Sequence, residues 1–349
     1  MKALCVAFVC FVAAASHGVD SPQCVRMPDP PAKCSTDSFR EFKNLWVVAG
    51  STSTCISSDQ GTTWKKVLGT SAPDPQMLPS SLLLGPFNGE LFEEFSTSGN
   101  QSPFVLHSAD GITWKKTPIP VGGDFAVAGN IWAVGGRLGI GMFDLRISKD
   151  AGTTWTPTAP LDPIPLQFAF GPRLAGTQGR IVMMDGIDAE IVPHGKQLIH
   201  MRLRRLSPNG DRWEDITPAD CIDGNFPVES DFEHTLALSC ASVDRPAYLA
   251  VTNDAGSSWF FREEPFPVIA VQNGGIVASI SSINNILVNF RVVYSSNSGG
   301  SWRSVGDGLP SSLSTKPIVE SASFLGVAGD IMFFKVQSAN PGLYECSLK

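Results

Sequence analysis

Ser57-Ser-Asp59-Gln-Gly61-Thr-Thr63-Trp64 reads as a tight turn between two strands. An Asp side chain accepts hydrogen bonds from backbone amides two or three residues on. Gly supplies the positive φ that a residue with a Cβ resists. The Thr and Trp that follow re-enter a strand, and the indole brings a large apolar area with it. Two further stretches keep every spacing: Ser148-Lys-Asp150-Ala-Gly152-Thr-Thr154-Trp155 and Thr252-Asn-Asp254-Ala-Gly256-Ser-Ser258-Trp259. A fourth, Ser295-Ser-Asn297-Ser-Gly299-Gly-Ser301-Trp302, has Asn in place of Asp. Two shorter copies lack one residue, Ser108-Ala-Asp110-Gly111-Ile-Thr113-Trp114 and Ser207-Pro-Asn209-Gly210-Asp-Arg212-Trp213.

The motif tryptophans at 64, 114, 155, 213, 259 and 302 are 50, 41, 58, 46 and 43 residues apart. That is about the length of a four-stranded blade, and self-similarity at such a period marks a repeat architecture. The two remaining tryptophans lie in Asn44-Leu-Trp46-Val-Val-Ala-Gly50 and Asn130-Ile-Trp132-Ala-Val-Gly-Gly136, which read as one equivalent strand upstream of a motif turn. Residues 180–184, 248–252 and 289–294 are β-rich runs of strand length. The expectation is an all-β chain, a six-bladed β-propeller with one motif turn per blade. Residues 320–349 hold three more strand-like runs, 323–327, 331–336 and 342–348. They either complete the first blade or form a seventh, closed by an N-terminal strand near 38–42. In both cases the C-terminus pairs beside the N-terminal region.

The chain has 349 residues, 43% of them hydrophobic, and a net charge of −7. The hydrophobic content argues against disorder, and the negative balance against general nucleic-acid binding. Residues 1–18 read as a signal peptide, with Met1-Lys2 ahead of the apolar run 3–15. A Cys-containing segment, 19–38, then precedes the propeller, 39–349. No later run is long and apolar enough to suggest a membrane span. A secreted or lumenal protein is expected. Cys24, Cys34, Cys55, Cys221, Cys240 and Cys346 remain after the leader, and six cysteines allow 15 pairings. The local pairs Cys24–Cys34 and Cys221–Cys240 are the simplest guesses, with Cys55–Cys346 then clamping the ring. Asn100-Gln-Ser102 is a glycosylation sequon. No cysteine or histidine spacing points to zinc, and no cofactor motif is present.

The repeated turn resembles the Asp-box (BNR) repeat of the sialidase-like β-propellers. In that family the turns lie on the outer part of each blade, so the resemblance makes the six Ser/Thr, Asp/Asn, Gly and Trp sets structural. It also invites a test for sialidase chemistry, which uses three arginines on a carboxylate, a Tyr nucleophile activated by a Glu, and an Asp acid/base. The nearest match to the first arginine is Phe39-Arg40-Glu41-Phe42. Glu229, Asp231 and Glu233 are candidates for the acid, and Arg245 for a second arginine. The stretch where the Tyr belongs reads Glu320-Ser321-Ala322-Ser323-Phe324, without one. The chain's three tyrosines are Tyr248, Tyr294 and Tyr344. On this match at most one catalytic residue of the family is present. The Trp-Val-Val-Ala-Gly and Trp-Ala-Val-Gly strands are also similar to those of photosystem-assembly-factor propellers, which are non-enzymatic binding proteins.

Two charged stretches stand out beside the repeat. Lys196-Gln-Leu-Ile-His200-Met-Arg202-Leu-Arg204-Arg205 puts His200, Arg202 and Arg204 on one face of a strand. They read as an anion or acidic-glycan contact, or as a solvated blade face salt-bridged to Asp185, Asp188 and Glu190. Glu229-Ser-Asp231-Phe-Glu233-His234 offers paired carboxylates to a hydrolase, or is an exposed loop. The expected function is a non-catalytic module that binds a glycan or an extracellular protein, with a sialidase-like glycosidase as the alternative.

Overall fold

In a computed structural model the described residues are 24–50, 53–69, 77–78, 83–97, 102–139, 142–158, 173–192, 196–219, 221, 229–230, 235–240, 248–263, 268–272, 274–279, 292–305, 322–336 and 341–348. They form strands and turns, with no helix among them. The strands make seven antiparallel sheets, the blades of a β-propeller.

From inner to outer strand, blade 1 is Ser38–Phe42, Leu45–Gly50, Ser53–Ser57 and Lys65–Gly69. Blade 2 is Leu83–Phe87, Glu90–Thr97, Phe104–Ser108 and Lys115–Pro118, with Met77–Leu78 paired to the far end of its second strand. Blade 3 is Asp124–Ala128, Ile131–Gly139, Met142–Ser148 and Thr156–Pro157; blade 4 is Arg173–Thr177, Arg180–Val192, Lys196–Leu206 and Trp213–Asp215. Blade 5 is Glu229–Ser230, Leu236–Cys240, Tyr248–Thr252 and Phe260–Glu263; blade 6 is Val268–Gln272, Gly275–Ser279, Val292–Ser295 and Arg303–Val305. Blade 7 is Ala322–Ala328, Ile331–Val336 and Gly342–Ser347, completed on the outside by Cys24–Arg26.

Seven blades is the second of the two arrangements the sequence allows, with residues 322–347 supplying a blade of their own. The motif turn joins the third strand of a blade to the fourth. In blade 7 those two strands come from opposite ends of the chain, so no turn connects them and no motif is needed. The closing strand also differs from the one expected. Ser38–Phe42 is the inner strand of blade 1, and Cys24–Arg26 closes the ring on the outside of blade 7.

Blade stacking explains the tryptophans. Seven apolar clusters lie one in each seam between neighbouring blades. Each motif Trp packs into the seam with the preceding blade: Trp64 with Phe333 and Trp46, Trp114 with Leu91 and Phe42, Trp213 with Ile147. The seam between blades 6 and 7 has no motif Trp and is filled by Met332, Phe334, Tyr344 and Cys346. Where a middle strand is buried on both faces, as at Val47-Val48-Ala49, it is apolar without alternation.

Disulfides join Cys24 to Cys346, Cys34 to Cys55 and Cys221 to Cys240. The last matches the local expectation. The other two correct the pairs Cys24–Cys34 and Cys55–Cys346. Cys24 stands directly opposite Cys346 in the blade 7 register, while Cys55 lies in blade 1, against which Cys34 packs.

The turns themselves work by a shared set of hydrogen bonds. In blade 1 the Ser57 hydroxyl donates to Asp59 Oδ1 at 2.7 Å and accepts from Gly61 N at 2.8 Å. Asp59 Oδ1 accepts from Thr63 N and Oδ2 from the Thr63 hydroxyl, at 2.8 and 2.6 Å. Blades 3 and 5 repeat this with Ser148, Asp150 and Thr154, and with Thr252, Asp254 and Ser258. In blade 6 one bond reverses: Asn297 Nδ2 donates to Ser301 Oγ at 3.0 Å. The shorter blade 2 turn keeps the hydroxyl bond from Ser108 to Asp110 Oδ1 at 3.0 Å. Blade 4 departs from expectation. There Ser207 bonds to Asp211 rather than Asn209, and Ser207 N donates to Arg212 O at 2.9 Å. The blade 2 turn is equally short and keeps its carboxylate at Asp110, so the shift goes with the sequence of blade 4, which has Asn at 209 and Asp at 211.

Candidate functional site

A four-stranded meander puts its first-to-second and third-to-fourth turns at one end of the blade. All the motif turns therefore share one side of the ring, the turn side. The connections between blades and between second and third strands leave from the other, the loop side. The inner strands contact one another around the axis. Two of them approach through glycine: a Cβ on Gly176 would lie 2.1 Å from Val127 O, and one on Gly326 2.3 Å from Phe39 O.

The sequence candidates separate on this frame. Arg40 lies on the inner strand of blade 1, where its Nη1 donates to Phe39 O at 2.7 Å. Arg202 and Arg204 lie on the third strand of blade 4, in a different sector of the ring. Glu229 opens the inner strand of blade 5, and its side chain, like that of His200, is outside the described residues. So are Asp231, Glu233, Arg245 and Asn100. The tyrosines all occupy third strands: Tyr248 in blade 5, Tyr294 in blade 6 and Tyr344 in blade 7. Tyr248 stacks edge-on with Phe261, Tyr294 lies under Arg303, and Tyr344 is buried.

Arg202 and Arg204 do come together. Asp185, on the neighbouring strand and directly opposite Arg202, accepts from Arg202 Nη2 at 3.1 Å and from Arg204 Nη2 at 3.2 Å, both on Oδ2. Asp185 is buried, and burial lifts its carboxyl to about 6 despite the opposing pull of Arg202. Asp185 thus supplies one of the expected salt bridges, but in a buried cluster rather than on a solvated blade face, while the side chains of Asp188 and Glu190 lie outside the described residues. Arg204 is buried, and only Arg202 keeps part of its side chain exposed. Above this cluster Arg180–Val192 and Lys196–Leu206 go on pairing as far as Val192 and Lys196, well past Met184, where the inner strand stops. The pair forms an arm on the loop side. At the same side Asp124 meets the next inner strand, accepting from Leu174 N at 3.2 Å and lying 3.7 Å from Arg173.

Two further polar groups escaped the sequence reading. Glu93 is 1% exposed, and its Oε2 accepts from the Thr54 hydroxyl at 2.7 Å across the seam between blades 1 and 2. Burial raises its carboxyl to about 7. Its register position is apolar elsewhere. In blades 1, 2, 3, 5 and 6, two residues beyond the partner of the turn's Ser or Thr stand Val48, Glu93, Val134, Leu238 and Ala278. On the opposite face of blade 2, His107 lies 3.0 Å from Glu90 Oε2 through Nδ1 and 3.1 Å from Thr117 Oγ1 through Nε2. The types are those of a nucleophile, base and orienting acid. Yet Thr117 is buried with its methyl against Gly152, so the line holds three strands together rather than presenting a hydroxyl to substrate.

No protein-family model matches the chain, and no curated protein matches it. Solved structures do. The chain is similar to YCF48 bound to a D1 peptide, at 15% identity and a TM-score of 0.51, over 94% of this chain and 96% of that one. It is also similar to the β-propeller domain of the Trilobed protease from Pyrococcus furiosus, at 9% identity and a TM-score of 0.56, over 89% and 94%. At these identities the likeness is one of fold, and the chain is a seven-bladed β-propeller.

Proposed function

We propose that the chain is a secreted, Asp-box propeller of the sialidase-like type, glycosylated at Asn100, that acts as a non-catalytic binding module. Its ligand is a glycan or an extracellular protein, held on the loop side of the ring near the axis. The placement of the tyrosines carries this reading. A sialidase needs a Tyr at the axis, and the three tyrosines of this chain stand on third strands, two strands out from it. Arg40, the nearest match to the first arginine, is bonded to its own strand. Three disulfides support an oxidising compartment, and no helix among the described residues is long and apolar enough to cross a membrane. A rigid ring with variable connections at one end suits binding, and the peptide bound by YCF48 supports a protein as one ligand class.

A fluorogenic sialoside assay on the secreted protein, run beside a glycan array and a pull-down of extracellular proteins, tests the reading. Retention of a ligand without turnover is expected. Turnover that Arg40→Ala removes would establish the glycosidase instead.

A further inference from the structure

We propose that a cleft between blades 7 and 1, on the turn side, takes a lysine or arginine side chain from an extended basic peptide. The cleft is apart from the loop side, so its fate does not decide the function proposed above.

The cleft has a volume of about 500 Å³, within the range of small-ligand sites. Val25, Trp46 and Ile331 give it apolar walls, and the acidic residues Glu41, Asp330 and Glu345 line it. Among the described residues its lining includes no Lys, Arg or His. A long cationic side chain fits such a place, its alkyl stem on the apolar walls and its head among the carboxylates.

Three other seams carry a cation from the chain itself, set on a carbonyl of the neighbouring blade's turn. Lys43 of blade 1 donates to Ala109 O in the blade 2 turn at 2.6 Å. Lys149 of blade 3 donates to Asn209 O in the blade 4 turn at 2.6 Å. Arg205 of blade 4 donates to Ala255 O in the blade 5 turn at 2.9 Å. At these three seams a cation from one blade caps the motif turn of the next, while at the blade 6 turn the amide of Asn253 reaches Ser298 instead. Between blades 7 and 1 this cation is missing among the described residues. Lys43 is the first of two residues linking Phe42 to Leu45, and the corresponding residue between Ala328 and Ile331 is Gly329. Gly329 lines the cleft together with Gln60 of the blade 1 turn.

The neighbouring strand argues for a peptide rather than a free amine. Cys24–Arg26 is the outer strand of blade 7, with an edge left unpaired among the described residues, and Val25 on it is 57% exposed. An added strand gains main-chain hydrogen bonds there, while one of its side chains follows Val25 into the cleft.

The test is titration of the full secreted chain with a capped, fluorescein-labelled hexalysine at about 0.15 M salt, where long-range charge effects are screened. Saturable binding is expected, with none for hexaglutamate. Glu345→Gln should weaken it roughly tenfold. Replacing Gly329 and Asp330 together, Gly329→Lys with Asp330→Asn, copies the Lys43-Asn44 turn of blade 1 and should abolish binding by supplying the cation internally. Glu263→Gln, an exposed carboxylate on blade 5, should leave it unchanged. Thermal melts and intact disulfides show that each variant is folded. Absence of saturable binding, or equal affinity across the variants, overturns the proposal. Spermine binding as tightly as the peptide overturns the peptide as occupant.

Discussion

Cys24 and Cys346 stand opposite each other in the last strand pair of blade 7 and share a disulfide, although 322 residues separate them. Closing a loop of that length removes much of the unfolded chain's freedom, about 5 kcal/mol on the chain-entropy account. Cys221–Cys240 spans 19 residues and is worth about 3 kcal/mol on the same account. Replacing Cys24 and Cys346 by Ser should lower the guanidinium midpoint more than replacing Cys221 and Cys240. Equal losses would speak against the ring-closing role.

The turns were legible in the sequence because their chemistry is local: Ser57 bonds to Asp59 and Gly61, and Asp59 to Thr63, all within seven consecutive residues. Counting motifs left six and seven blades both open, because it counts turns, and the closing blade replaces its turn with a strand contributed from residue 24. Cys221–Cys240 was legible from its short separation, but the pairings of Cys24 and Cys34 were not, for a related reason. Short separations guided the guess, whereas the register of the closing blade decides the partner of Cys24. Glu93 was hidden in Leu91-Phe92-Glu93-Glu94-Phe95, because a strand buried on both faces shows no alternation to say which carboxylate points inward. Glu90, His107 and Thr117 come from three strands, and their meeting depends on register that the residue order does not display. Asp185 with Arg202 and Arg204 was half visible, as a charged strand with acidic residues upstream.

Asn297 performs the role of Asp59 in blade 6, accepting from Ser301 N at 2.9 Å. Asp150→Asn should therefore leave the melting temperature nearly unchanged at neutral pH. Asp150→Ala removes the acceptor for Thr154 N and the Thr154 hydroxyl, and should lower Tm by roughly 2–4 °C. Ligand binding should survive both, as read by the glycan array or pull-down. Acid melts add a second check. Hydrogen bonds from Thr154 hold the Asp150 carboxyl down at about 2, so its contribution is present above pH 4 and fades as the pH falls towards 2. Asp150→Asn should lose less stability over that window than the unaltered chain.

Glu93 sets the opposite dependence. Burial raises its carboxyl from 4.5 to about 7, so the folded state favours the protonated group. Its contribution is complete below pH 4.5 and is lost as the pH rises through 7. Glu93→Gln keeps an acceptor for the Thr54 hydroxyl and removes the charge. Relative to the unaltered chain, the variant should gain about 3 kcal/mol between pH 4.5 and pH 8, read from denaturant unfolding at the two values. A constant difference would place the carboxyl's titration outside this window.

Arg204 and Arg202 share one oxygen of the buried Asp185. Arg204→Ala leaves that carboxylate with less compensation and should cost about 3 kcal/mol. Asp185→Asn introduced alongside should recover part of the loss, since the amide needs no counter-charge. Denaturant unfolding of the single and double variants gives the coupling directly.

Closure by Cys24–Arg26 also sets a timetable for synthesis. The first described strand has no partner until Gly342–Ser347 has been made. At about 5–20 residues per second, the intervening chain takes on the order of tens of seconds to emerge. Cys34 and Cys55 can pair almost at once, while Cys24 must wait as a thiol through the making of six blades. A ribosome-bound chain halted before residue 342 should therefore carry the Cys34–Cys55 bridge and a Cys24 still open to alkylation.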